Sequence, residues 1–187
     1  DVLNRGNIVV LGQTTVNSDG VYVAQMDSAG KLVGGNIIVI SKHGNLSNFD
    51  DLSKVYNRNT YEYNEKKYQL AEGSIQHTVS EGYYYNNMQL ESGRDLWIES
   101  QGDAIIGEPG TESITAGGTI HVVSTDGSVI NKGNTLVSAG ESVVFDGYKG
   151  VENNGTIIAG IDIIAKSEAG VVTTEGELEA SKNVELT

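Results

Sequence analysis

The chain repeats itself. Residues 129–150 (VINKGNTLVSAGESVVFDGYKG), 151–170 (VENNGTIIAGIDIIAKSEAG) and 171–187 (VVTTEGELEASKNVELT) align with one another. Each unit is a short alternating strand, a turn of Gly, Ser or Lys, and a second alternating strand. Apolar positions carry the register: Leu136, Ile157 and Leu178 are spaced by 21 and 21, Val143, Ile163 and Val184 by 20 and 21, and Phe145, Ala165 and Leu186 by 20 and 21. Strands this short cannot bury a face alone. A period near twenty built from several of them predicts a parallel β-helix (β-solenoid), in which coils stack and equivalent side chains form interior ladders. Each coil advances by about 4.8 Å, the spacing of hydrogen-bonded strands. Upstream, Leu96-Trp97-Ile98 and Ile120-His121-Val122 continue the series with steps of 24 and 23. Runs at 8–11, 21–24 and 37–40, separated by turns such as Asp19-Gly20, Ala29-Gly30 and Gly34-Gly35, read as two further coils. Asn131 and Asn153, 22 apart at equivalent turns, fit either a stacked asparagine ladder or two ordinary turn residues.

Composition agrees with an all-β chain. Gly, Asn, Ser, Thr, Val and Ile dominate, and stretches of Leu, Ala, Glu and Lys at helical spacing are missing. A net charge of −13, with Lys and Arg scattered singly apart from Lys66 and Lys67, provides no basic stripe, so nucleic acid is not an expected partner. No apolar run approaches the roughly 18 to 20 residues of a membrane-spanning helix. The absence of cysteine excludes a disulfide framework, a thiolate nucleophile and Cys-ligated zinc.

Residues 46–87 break the pattern. They hold seven of the nine tyrosines, Tyr56, Tyr61, Tyr63, Tyr68, Tyr83, Tyr84 and Tyr85, together with Phe49. The stretch 45–56 is expected to form a short helix capped by Ser47 or Asn48, and 60–70 a hairpin. The whole of 46–87 is therefore expected to leave the β-helix as a tyrosine-rich insertion, with coils over 1–45 and 88–187. Exposed tyrosines supply amphipathic contact area at low entropic cost, which makes Tyr61, Tyr63, Tyr83, Tyr84 and Tyr85 candidate binding residues. The bland alternative is that they cement the insertion to the solenoid. Consecutive strand residues alternate faces, so at least one of residues 83–85 points outward. Trp97, between two inward positions, is expected to face out of its coil and is a further candidate binding residue, either as an open platform for a sugar or, the preferred reading, covered by the insertion.

Catalytic and metal chemistry find little support. His43, His77 and His121 share no strand-face or helical spacing, and each reads as a lone surface histidine. Glu175, Glu177 and Glu179 alternate on one expected strand face, where they suit a cation or a glycosidase carboxylate pair less well than a soluble exposed edge. Asp50-Asp51 lacks the remainder of an EF-hand. Nothing resembles a nucleophile elbow or a phosphate loop. No catalytic residue, metal or cofactor is expected.

The phrase Asn154-Gly155-Thr156-Ile157-Ile158-Ala159-Gly160, followed by Asp162-Ile163-Ile164-Ala165, resembles the filamentous haemagglutinin repeat of bacterial two-partner-secreted exoproteins (TpsA adhesins and contact-dependent inhibition stalks). The likeness is good over 113–187, loose over 88–112 and 1–45, and lost over 46–87. It implies a long right-handed β-helix, secreted to the bacterial cell surface and acting as an adhesin, a cytolysin scaffold or the stalk of a growth-inhibition toxin. Its implied partners are a receptor or glycan on a host or neighbouring cell, and an outer-membrane transporter engaged through a region outside this chain. The Asn-Pro-Asn motif of the family's secretion domain is absent, which fits an interior piece of the fibre. Two other classes stay open: a β-helical polysaccharide lyase or tailspike-type glycosidase, and a pure spacer with no ligand.

Overall fold

The computed structural model describes residues 2–4, 8–10, 14–16, 22–24, 35–48, 68–107, 113–133 and 135–187, with backbone alone at 8–10, 14–16, 22–24 and 68. Among these residues the chain is all-β, a parallel β-solenoid without helix. Three sheets of seven, seven and nine strands run along it. The chain visits the third, first and second sheets in turn. Leu96–Ser100, Ala104–Ile106 and Ser113–Ala116 make one coil, and Ile120–Ser124, Ser128–Asn131 and Leu136–Ala139 the next. Leu96, Ile120, Val143, Ile163 and Val184 are consecutive register partners, so the steps of 24, 23, 20 and 21 read from the sequence are the true coil lengths on this sheet. Inward residues alternate with outward ones, and the core is a stack of fully buried Ile, Leu and Val such as Ile37, Ile75, Leu96 and Ile120.

One expected ladder is shifted. Leu136 pairs with Thr156, and it is Val137 that sits over Ile157 and then Leu178. Val137 is buried, and Leu136 is only partly so. The corner after the strand sets this register. Ala116, Ala139 and Ala159 stack, and each is followed by a glycine. A Cβ on Gly117, Gly140 or Gly160 would strike the carbonyl oxygen of Gly93, Gly117 or Gly140 in the coil before. Only glycine fits so close an approach. In a strand that alternates Leu, Val, Ser, Ala, the fixed Ala-Gly corner decides which of Leu136 and Val137 faces in.

The amino-terminal coils differ from expectation in two ways. Tyr22–Ala24 does not begin a coil but folds back antiparallel on Thr14–Val16, at the edge of the third sheet. The Asp19-Gly20 pair between these runs is a hairpin signal. The expected extra-helical insertion at 46–87 also dissolves over its described part. Leu46–Asn48, Tyr68–Ala71, Ile75–Val79 and Tyr84–Asn86 are all coil strands in parallel register. Residues 46–48 are thus strand and not the start of a helix, and Tyr68–Ala71 pairs parallel with Gln89–Ser92 and not in a hairpin. Residues 49–67 lie outside the described residues. Alternation was masked here because Gln69, His77 and Tyr84 occupy inward positions that neighbouring coils give to aliphatic residues, while Asn48 and Asn86 share an inward position that later coils fill with Ile106, Asn131 and Asn153.

Two polar ladders tie coil to coil. At the corner entering the third sheet, Asn36 Oδ1 accepts from Ser74 N–H at 2.7 Å, Ser74 Oγ from Asp95 N–H at 3.4 Å, and Asp95 Oδ1 from Thr119 N–H at 2.8 Å. Ser142, Asp162 and Asn183 continue in the same sense. Inside the solenoid, at the end of the first-sheet strands, Asn131 Nδ2 donates to Asn153 Oδ1 at 2.7 Å, and Asn153 Nδ2 to Thr174 Oγ1 at 3.1 Å. The stacked-ladder alternative therefore holds for this pair. Asn48, Asn86, Ile106, Asn131 and Asn153 are register partners in order, so Ile106 interrupts the series. Its consequence is visible: buried Asn131 Oδ1 has no hydrogen-bond partner, because the position that would supply an amide donor is an isoleucine.

Two outcomes are expected. Val137→Asp destabilises the chain by several kcal/mol in urea unfolding, since it buries an unpaired carboxylate, while Leu136→Asp costs about 1 kcal/mol or less; equal costs would overturn the register. Ile106→Asn, which provides a donor to Asn131 Oδ1, is milder than Ile98→Asn by about 1 kcal/mol or more.

Candidate functional site

The tyrosine-bearing coil separates the expected binding residues. Tyr84, between two outward neighbours, points into the solenoid and is fully buried. That removes it from the candidate contact surface. Tyr83 is 45% exposed at the corner before the strand, its N–H held by Asn45 Oδ1 at 3.0 Å. Tyr85 is outward on the first sheet and half-buried, in register with Ser47 on one side and Ile105 on the other. Tyr61 and Tyr63 lie outside the described residues. Tyr148, unremarked in the sequence, is 38% exposed at the same kind of corner as Tyr83, between third-sheet and first-sheet strands.

Trp97 faces outward as expected and is 37% exposed. Its cover among the described residues is His121, its register partner, with ring centroids 4.5 Å apart and planes 29° from parallel. The stack hides one face of the indole, and Trp97 Nε1–H donates to Glu99 Oε2 at 3.3 Å. Burial lowers the His121 pKa, with Asp95 opposing. His43 is exposed and lies 2.9 Å from Glu81.

His77 is the histidine that departs from expectation: it is fully buried, not on the surface. It belongs to a closed ring of four interior side chains. Gln69 Nε2 donates to Asn48 Oδ1 at 3.0 Å, and Asn48 Nδ2 donates to Tyr84 Oη at 3.3 Å. Tyr84 O–H donates to His77 Nδ1 at 2.8 Å, and His77 Nε2–H donates to Gln69 Oε1 at 2.8 Å. The ring assigns a neutral imidazole with its proton on Nε2. Burial drives the His77 pKa down from 6.5 to about 3 and raises that of Tyr84. With Asn48 turned into this ring, Asn86 Oδ1 in the next coil is left without a partner. A polar residue among apolar ladder mates was the sequence signal for this cluster: His77 stands between Val39 and Ile98.

The carboxylates at the corners are committed to structure. Asp95, Asp103 and Asp162 each accept a backbone N–H from the following coil, of Thr119, Ser128 and Asn183. Glu175, Glu177 and Glu179 do not share a strand face, since two strands, Val171–Thr174 and Leu178–Ala180, divide that stretch. Among the described residues no three His, Cys, Asp or Glu side chains are grouped to hold a metal ion, and no helix is long and apolar enough to cross a membrane.

The Trp97–His121 stack is measurable. Trp97 is the only tryptophan, and an imidazolium quenches an excited indole in contact with it by accepting an electron. Emission is expected to fall as pH drops, with a midpoint below the usual 6.5 of His121, and the transition is expected to vanish in His121→Ala. A pH-independent intensity would show that the rings are not stacked in solution. No family model matches the chain, and no curated protein or solved structure does.

Proposed function

We propose that this chain is a segment of a secreted bacterial surface fibre, of the filamentous haemagglutinin-like kind, that acts as an adhesin or structural stalk. The observation that carries this reading is the contrast between one coil and the rest. Between Asn86 and Gln89, and between Asn153 and Thr156, two residues lead from the first sheet to the second, and between Ile106 and Ser113 six do, whereas between Asn48 and Tyr68 the chain spends residues 49–67. Departures of this kind from a uniform scaffold are where repeat proteins carry recognition. Tyr83 and Tyr85, presented on the adjacent coil, supply aromatic contact area beside that departure for a receptor or glycan on another cell. Engagement of an outer-membrane transporter belongs to a region outside this chain.

The spacer reading has its own support, because uniform stacking with corner ladders makes a stiff rod whose length is itself useful. The lyase or tailspike reading is weaker, since Asp95, Asp103 and Asp162 already hold backbone N–H groups.

The test compares the intact chain with one in which residues 49–67 are replaced by a short Gly-Ser link, and with Tyr83→Ser/Tyr85→Ser. Each is scored for saturable binding to a glycan array and to epithelial and bacterial cells. Binding that is lost in either variant, with the β-sheet spectrum retained, is the expected result. Binding unchanged in both variants would overturn the recognition reading. Absence of binding throughout would leave the rod as the function.

A further inference from the structure

We propose that the Gln69–Asn48–Tyr84–His77 ring is an acid-sensitive clasp that closes the coil formed by Ile37–Ser41, Leu46–Asn48 and Tyr68–Ala71. Its position is the first ground. Asn48 is the last residue of the strand leaving the first sheet, and Gln69 lies at the start of the strand arriving in the second. In the next coil, and again between Asn153 and Thr156, two residues link these strands. Here residues 49–67 stand in the chain between the two strands. The direct side-chain bridge between the strand ends is the 3.0 Å bond from Gln69 to Asn48, and His77 and Tyr84 of the following coil hold both partners in place.

The bonding sense is the second ground. Each of the four side chains donates once and accepts once around the circle, and Asn48 Nδ2 also lies 3.4 Å from His77 Nδ1 across it. A proton added at His77 Nδ1 turns that acceptor into a donor. The Tyr84 hydroxyl hydrogen thereby loses its acceptor, and Asn48 Nδ2, 3.4 Å from the same nitrogen, faces a second donor. A charge also appears with no opposite charge to meet it. His77 is faced by Val39 and Ile98 on its own sheet, by Gln69 from the second and by Asn48 and Tyr84 from the first. Tyr84 is the one titratable group in that set, and burial keeps it neutral. The clasp therefore closes only around a neutral imidazole.

The sign follows from linkage. The closed coil binds the proton more weakly than the open one, so closure is complete above the open-state value of 6.5 and weakens as pH falls toward about 3. Between pH 7 and pH 5 the open fraction rises about 25-fold. This holds whether or not residues 49–67 contact a ligand.

Hydrogen exchange of the intact chain, corrected for the intrinsic pH dependence of amide chemistry, tests it. Protection at Leu46–Asn48 and Tyr68–Ala71 is expected to fall about 25-fold from pH 7 to pH 5, with Val143–Gly147 unchanged as the internal control. In His77→Gln, which stays neutral, that fall is expected to disappear. Protection that is independent of pH, or that falls equally in His77→Gln or in the control strand, overturns the clasp. Should His77→Gln fail to fold, the histidine C2 proton resonance of the unmodified chain decides: it is expected to stay at its neutral position through pH 5, and a folded-state titration near 6.5 overturns the proposal.

Discussion

Everything in this molecule depends on the parallel hydrogen-bond ladder that joins each coil to the next at about 4.8 Å. That spacing places every side chain against its equivalent one coil away, so the environment of a residue is set largely by residues about twenty positions distant. The Ala-Gly corners show how strict this is. Ala116, Ala139 and Ala159 repeat because the interior narrows there, and Gly117, Gly140 and Gly160 repeat because the neighbouring carbonyl occupies the space of a Cβ. A larger residue at either position would have to move two coils at once.

Stacking also decides which polar groups the interior tolerates. An asparagine on a ladder satisfies itself by donating to the next coil and accepting from the one before, which works only while the ladder continues. Asn131 and Asn153 are served on the downstream side, but the interruption at Ile106 orphans Asn131 Oδ1. The four-membered ring solves the same problem differently: it closes on itself within two adjacent coils and leaves none of its own members unpaired. The two devices meet at Asn48. Its amide nitrogen is turned to the ring, 3.3 Å from Tyr84 Oη and 3.4 Å from His77 Nδ1, and Asn86 Oδ1 is the second orphan oxygen.

The repeat, the solenoid and the third-sheet ladder were legible from Leu96 onward because apolar residues mark most inward positions there. Leu136 was misplaced because both it and Val137 are apolar, and the deciding constraint, the close approach at Gly140, belongs to the backbone of the preceding coil. The coils between Leu46 and Leu90 were missed for the opposite reason. Their inward positions carry Asn48, Gln69, His77, Tyr84 and Asn86, and a polar residue reads as outward unless its partners are known. Those partners are separated by up to 36 residues in the chain. Tyr84 illustrates the limit: alternation guaranteed that residues 83–85 split between faces, but only the hydroxyl's buried acceptor determined which one turned in.

Uniform stacking leaves little freedom on the inside and constrains the corners as well, where Asn36, Ser74 and Asp95 spend their oxygens on backbone N–H groups. Side chains that are free to acquire a role are therefore the outward strand positions and the places where the repeat is broken. Trp97 and His121, stacked on each other, occupy the first kind, and Tyr83 stands exposed at a corner. The long stretch of chain between Asn48 and Tyr68 is the second kind, and the buried four-membered ring includes Asn48 and Gln69 on either side of it. A break that merely lengthened a corner would be expected to keep aliphatic residues beneath it, as the neighbouring coils do at Leu90 and Ile98. Placing Gln69 and His77 at those two ladder positions forfeits burial of roughly 1.5 to 3 kcal/mol at each. Such a substitution is reasonable only where the geometry of the strand ends matters more than their stability.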